Sequence, residues 1–443
     1  MLKENRITEG VIWKEVLYFF FPIVISSFFQ HFYTIVDGII VGQNLGDVAF
    51  SAVGGSAAKL SGMLINFFVG VSTGITAYTS RFYGRQDIDA VRQVIYNGSV
   101  IFAVLGALLS IFGFVFSDKL LVAMNTPVET MEYASTYLRT FLCGLIFCVL
   151  YNIFSGALRA MGDSKTPLYV LVFCSFANVL LDLTFVIVLK WGVFGVAFST
   201  ILAQAASAII LGIMICKKIP AEKIVLQLDG KIIKDICSIG IPAGLQSIMY
   251  SLSNILVQSA INGFGYLTVT AWAAYVKIDN IVDIFVSSLA STVITFVGQN
   301  LGANKVDRVK QSVRQIVMLS YIITITLVAG FMFFRMPLLG LFTENLEVAN
   351  LGGSLMFIIM PMYLLGIPYQ MFAQALRGLG KAFVPMLITL TGIVGIRVIW
   401  VHFIFPLNPT IYFLGICYPI SSFIMSIIFG VYYMHEIGKL KTA

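Results

Sequence analysis

Two aspartates set in apolar sequence carry most of the chemistry this chain can do. Asp37 follows Tyr33 by four residues and Asp182 follows Asn178 by four. On a helix each acid therefore shares a face with a polar side chain one turn away. Thr200, on the next apolar segment, comes to a similar depth. Two carboxylates, an amide oxygen and a hydroxyl are the oxygen donors that a hard cation prefers. Close carboxylates also repel each other, so the same cluster suits a bound proton. The spacing leaves cation and proton both open.

The segments that hold these residues are built for a bilayer. Of 443 residues, 59% are hydrophobic and 11% charged, and the mean hydropathy is +0.94. Soluble domains carry about 25% charged residues, so a soluble globular chain is excluded. Apolar runs of about 20 residues, enough to cross a membrane, lie near 14–40, 48–78, 93–117, 130–156, 167–189 and 194–216. A second set lies near 238–262, 268–297, 312–334, 348–375, 384–405 and 411–434. In lipid the backbone must bond internally, so these spans are helices. Pro22, Pro242, Pro361 and Pro368 are placed to bend them. The expected fold is an all-α membrane protein with twelve transmembrane helices in two six-helix lobes, residues 1–216 and 238–443. Residues 217–237 are expected as a cytoplasmic linker.

The halves are copies. Tyr151-Asn152-x-Phe154-x-x-Ala157-Leu158-Arg159-x-x-Gly162-x-x-x-x-Pro167 returns 218 residues later as Tyr369-Gln370-x-Phe372-x-x-Ala375-Leu376-Arg377-x-x-Gly380-x-x-x-x-Pro385. The same offset carries Gly84 and Asp89 onto Gly302 and Asp307, and Lys59 onto Lys277. Internal duplication of this kind builds many secondary transporters, with the substrate path between the copies. The copied Gly and Arg motifs read as turn structure rather than as a binding site. The paired carboxylates are not copied: the counterpart of Asp182 falls near Trp400 to His402, where neither end is acidic.

Basic residues set the orientation. With both termini cytoplasmic, 21 of the 28 lysines and arginines face inward, and 3 (Lys119, Lys190 and Arg335) lie in outer loops. This is a positive-inside bias in a multi-pass protein of the cell membrane, and it accounts for the net charge of +7 without a nucleic-acid partner.

A charge inside a span costs about 2.5–3.5 kcal/mol on insertion scales, so each needs a reason. Lys59 and Arg139 share the depth of Asp37 and Asp182 and are able to neutralise them. In the second half Lys277 and Asp279 can compensate each other or line a cleft. Asp283 reads either as a cleft residue or as a salt-bridge partner of Arg397.

Several classes are excluded by what is missing. No Gly-x-x-x-x-Gly-Lys-[Ser/Thr] loop is present to bind nucleotide phosphates, and neither His-Glu-x-x-His nor Gly-x-Ser-x-Gly offers hydrolysis. The six cysteines show no Cys-x-x-Cys spacing, so neither a disulfide framework nor a cysteine metal site is expected. A secondary transporter remains, not an enzyme, and no cofactor is expected.

The chain resembles the multidrug and toxic compound extrusion (MATE) transporters over essentially its whole length. The resemblance rests on Pro22 with Val36-Asp37-Gly38-x-x-Val41-Gly42-x-x-Leu45-Gly46, on Gly84-Arg85 with Asp89, and on Ala157-Leu158-Arg159-Ala160-Met161-Gly162-Asp163 with Thr166-Pro167. Gln299-Asn300-Leu301-Gly302-Ala303 completes it. It implies an antiporter that exports organic compounds or drugs by alternating access, driven by an inward Na⁺ or H⁺ gradient. The prokaryotic branch it is similar to has an N-lobe cation site, which carries onto Asp37, Asn178, Asp182 and Thr200, with Tyr33 and Tyr137 beside them. Bound Na⁺ is implied there if Na⁺ is the coupling ion. Acids on helices 7 and 10, used by another branch, are absent.

Candidates for the substrate cavity are Tyr33, Lys59, Tyr137, Arg139, Lys277 and Asp283. Lys59 and Lys277 belong to no motif of the family and would favour zwitterionic or anionic substrates. The alternative within the same superfamily is a flippase for a lipid-linked precursor, in which Lys59, Arg139, Lys277 and Arg397 meet phosphates. Expected partners are a small organic substrate and membrane lipid, with the chain as a monomer.

Overall fold

A computed structural model describes residues 6–219 and 227–440. Those residues form helices and connecting turns, with no strand among them. The first half runs α1 (Arg6–Glu9), α2 (Ile12–Gly54), α3 (Ser56–Gly84), α4 (Ile88–Ala123), α5 (Val128–Cys143), α6 (Leu145–Ala160), α7 (Lys165–Asp182) and α8 (Gly192–Lys218). The second runs α9 (Gly230–Asn262), α10 (Tyr266–Gly302), α11 (Val306–Phe333), α12 (Arg335–Gly340), α13 (Leu346–Ile359) and α14 (Tyr363–Gly378), then α15 (Phe383–Thr389), α16 (Ile396–Ile399), α17 (Ile411–Gly415) and α18 (Cys417–Gly438). Among the described residues, eleven helical spans are long and apolar enough to cross a membrane. The pair α5–α6, bent by 51° at its break, makes a twelfth when taken as one span. At that break a Cβ on Gly144 would run into the side chain of Ile201 on α8. The missing side chain is what lets α8 lie against the bend.

Part of the proposed linker, residues 220–226, lies outside the described residues. Residues 230–237 already belong to α9, a helix continuous to Asn262. Pro22 and Pro242 sit inside α2 and α9, while Pro361 lies in a short 3-10 turn, Met360–Met362, where α13 passes into α14.

The duplicated motifs are turns. Gly162 and Gly380 have φ of 84° and 86°, a left-handed conformation that glycine adopts without strain. After each, the next amide reaches back five residues. Asp163 N–H donates to the Leu158 carbonyl at 2.9 Å, and Lys381 N–H donates to the Leu376 carbonyl at 2.8 Å. This bonding closes a helix C-terminus. It recurs where α3 and α10 end, from Asp87 to Phe82 at 3.1 Å and from Lys305 to Asn300 at 2.9 Å. The repeat in the sequence is thus a repeat of helix stops.

The chain packs as two compact units, Phe21–Gly244 and Met1–Phe20 with Leu245–Ala443. The cuts fall inside α2 and α9, not in the linker. In the first unit α3 packs on α6, α4 on α5 and α6, and α8 on α6 and α7. The start of α9 joins this unit through small residues: a Cβ on Gly70 would meet the Ala243 carbonyl at 2.6 Å, and one on Gly240 the Val71 carbonyl at 2.7 Å. Buried Asn97 of α4 ties down the approach to α9, donating to the Gln227 carbonyl at 3.1 Å and accepting from Asp229 N–H at 2.8 Å.

In the second unit α14 packs on α18, and α10 on α11, α13 and α14. The start of α2 belongs here. Phe19 meets Phe296 edge-on at 6.0 Å, and Arg308 donates to the carbonyls of Ile7 and Gly10 beside α1. The first helix of each repeat therefore begins in the unit built mostly by the other repeat.

Candidate functional site

The first unit brings Asp37 and Asp182 together. Asp37 is on α2 and Asp182 is the last residue of α7, and their carboxyls interact directly. Asp182 is fully buried and Asn178 is 2% exposed. The helix period places Asn178 and Asp182 one above the other, so α7 offers one polar face to α2 and α8. Beside the acids lies an apolar cluster of Ile40, Val41 and Ala49 from α2 and its continuation and Val193 and Val196 from α8, with Val36 and Val179 packed against it. Tyr137 of α5 packs against that cluster and lies near both acids, and Tyr33 lies one turn from Asp37 on α2.

The hydroxyl that reaches Asp182 comes from buried Ser199, whose single proton has two acceptors in reach, Asp182 Oδ1 and, at 2.7 Å, the Val196 carbonyl of its own helix. Asn178 Nδ2 donates to the same hydroxyl oxygen at 3.4 Å. Thr200, the neighbouring hydroxyl singled out by depth, donates to the Val196 carbonyl of its own helix at 3.0 Å. Consecutive residues on a helix are turned by about 100° from each other, so depth alone could not choose between them. The signal for Ser199 in the sequence was only its place beside Thr200.

Three oxygens at this site are buried and accept no hydrogen bond from the described residues: Asp37 Oδ1, Asp182 Oδ2 and Asn178 Oδ1. A buried acceptor left unpaired costs about 1–3 kcal/mol, more when charged. The three come from two helices and point to a missing positive partner. Their chemistry fits a small hard cation. It equally fits one proton held between the two carboxyls.

Directly after Asp182 the helix widens into a π segment, Leu183–Val188. The second repeat has two such segments, Leu390–Gly395 and Trp400–Ile404. The latter overlaps the image of the first at the 218-residue offset. Such widened turns occur mostly singly and often beside functional groups. Nothing in the composition of these segments announces them.

The other charged candidates go elsewhere. Arg139 pairs with Asp118 at 2.7 Å and donates to Ser117 at 2.8 Å, rather than neutralising Asp37 or Asp182. Asp118, near the end of α4, was not anticipated as its partner. Lys59 is exposed and forms no ion pair among the described residues. In the second unit Lys277 is exposed and sits over the Phe342 ring at 5.8 Å, on a different face of α10 from Asp279. Asp279 accepts from the hydroxyls of Tyr275 at 2.8 Å and Tyr363 at 2.9 Å. Asp283 faces a cavity and makes no salt bridge with Arg397, which instead donates to Asn254 at 2.7 Å.

The sequence model of the family described as MatE matches residues 22–184 and 242–401. The chain is 28% identical over 407 residues to the "Probable multidrug resistance protein YoeA" of Bacillus subtilis, covering 90% of this chain and 88% of that one. It is 22% identical over 383 residues to the "Multidrug export protein MepA" of Staphylococcus aureus, covering 84% and 83%. Among solved structures, a MOP superfamily transporter from Pyrococcus furiosus superposes with a TM-score of 0.89 at 22% identity over 100% of both chains.

Proposed function

We propose a specific mechanism for this chain, which belongs to the MatE family: it is an antiporter that exports organic compounds, coupled to cation entry at Asp37 and Asp182. The observation that carries this reading is the set of three buried, unpartnered oxygens on Asp37, Asn178 and Asp182. Two close carboxyls beside an apolar cluster repel each other and do not both stay charged without a positive partner. A sodium ion or a shared proton supplies one, and the two exclude each other. Site occupancy then responds to a gradient of either ion.

Coupling requires only that ion and substrate favour different states of an alternating-access cycle. In the proposed orientation both termini face the cytoplasm, and the driving ion enters from outside as the organic compound leaves. The multidrug names of the similar proteins from Bacillus and Staphylococcus support an organic, drug-like cargo.

The test is efflux of a fluorescent organic cation from proteoliposomes, with a Na⁺ gradient and a pH gradient imposed separately. Asp37→Asn and Asp182→Asn should each abolish gradient-driven efflux while the protein remains folded and monodisperse. Wild-type rates in both variants would overturn the site assignment. Transbilayer movement of a polyprenyl phosphate with no gradient response would favour the flippase reading instead. Of its four intramembrane cations, Arg139 is already neutralised by Asp118.

A further inference from the structure

The second unit holds a cavity of about 260 Å³ that the coupling mechanism does not use. Its wall contains both signs of charge, from Asp279 and Asp283 on α10 and from Arg397 on α16. Arg397 is only 2% exposed. Its Nη1 donates to Asn254 at 2.7 Å and lies 3.4 Å from the Ser253 hydroxyl, and its guanidinium stacks over Tyr418 at 4.3 Å and Tyr250 at 5.3 Å. Its Nε is buried and donates to nothing, and Nη2 has no acceptor among the described residues. Asp279 has both oxygens engaged by tyrosine hydroxyls. Asp283 has neither engaged among the described residues.

An arginine and an aspartate thus line one cavity without pairing. The arginine is held in place by an amide and two aromatic faces, and the aspartate stands open to the cavity. Arg397 is a buried charge with donors to spare, which is costly, and Asp283 offers an exposed, unengaged carboxyl to the same cavity. The two ends suit the two charges of one ligand. A purely cationic ligand would satisfy Asp283 but leave the arginine donors empty and repelled. A purely anionic one would meet Arg397 but face two carboxylates. Mismatched charges in a cavity wall exclude wrong ligands as matched ones admit right ones.

We propose that this cavity is a recognition site for small zwitterionic organic molecules, with the ligand's cationic group on Asp283, its anionic group on Arg397 and its ring against the tyrosines. Pockets for drug-sized ligands run from about 300 Å³ upward, so the preferred ligand has one or two rings. Arg397 suits a carboxylate because its planar fork can donate two parallel bonds. The inference rests on the export reading only for transport of the bound molecule, since recognition itself needs no gradient.

The test is equilibrium binding to the full chain in nanodiscs, without a gradient, using three probes that share an indole ring. L-Tryptophan is the zwitterion, tryptamine the cation and indole-3-propionate the anion. Tryptophan should bind at least about tenfold more tightly than either of the others. R397Q should remove the preference over tryptamine, and D283N the preference over indole-3-propionate. Because Asp283 is unpartnered and faces open space, D283N tests the idea even if R397Q fails to fold. D37N should keep the wild-type order of affinities, so loss of coupling and loss of recognition are separable. Tryptamine binding as tightly as tryptophan, an unchanged order in D283N, or no saturable binding of any probe would overturn the proposal.

Discussion

Ser199 presents its hydroxyl to the Asp182 carboxylate while accepting from the Asn178 amide at 3.4 Å. One serine of α8 therefore fixes both members of the polar face of α7. A hydrogen bond to a charged group is worth about 1.5–3 kcal/mol. Ser199→Ala should raise the ion concentration that gives half-maximal efflux by about tenfold or more. Thr200→Ala, whose hydroxyl serves its own helix, should leave it unchanged. Equal shifts in the two variants would sink the assignment of Ser199 as the positioning group.

If Na⁺ occupies the orphaned oxygens, it should stabilise the folded chain. At a concentration about a hundredfold above its dissociation constant the gain is about 2.7 kcal/mol. Thermal melts in NaCl against choline chloride should show a higher midpoint in the wild type and none of this gain in Asp37→Asn or Asp182→Asn. A full Na⁺ response in Asp37→Asn would place the cation elsewhere. No response in the wild type would make the proton the coupling ion.

The turn after α6 carries a pH-dependent contribution. Asp163 accepts from Thr166 N–H at 3.0 Å and from its hydroxyl at 2.8 Å, and pairs with Lys218 at 2.9 Å. Burial pushes the carboxyl up, but the Thr166 and Lys218 contacts outweigh it and hold Asp163 below its ordinary range. A folded-state pKa below the unfolded one stabilises the protein above the ordinary carboxylate range. That stability is lost as pH falls through the folded value. Asp163→Asn should therefore lower stability at pH 7 by about 1 kcal/mol, for a partly exposed pair with a cap-like bond, read as a lower melting midpoint. The gap to wild type should close in acid; a gap constant with pH would contradict this account.

Gly144 lies at the α5–α6 bend with Ile201 against it. Overpacking of this kind costs about 1–3 kcal/mol. Gly144→Ala should lower stability by that amount, and adding Ile201→Ala should recover part of it. A double variant no better than the sum of the singles would mean that the bend has another cause.

The sequence alone determined whatever depends on composition and local period. Twelve apolar spans, the 218-residue duplication, the helix stops at Gly162 and Gly380, and the shared face of Asn178 and Asp182 are all local. They follow from bilayer thickness, left-handed glycine turns and 3.6 residues per turn. The tertiary structure decided what depends on how one helix is rotated against the next. It chose Ser199 over Thr200, sent Arg139 to Asp118, and kept Arg397 apart from Asp283. It also let α2 and α9 each begin in the other repeat's unit. A one-residue step turns a helix face by about 100°, and the π segment after Asp182 adds a turn that no local pattern marks. Depth along a helix was therefore legible in the sequence, and direction around it was not.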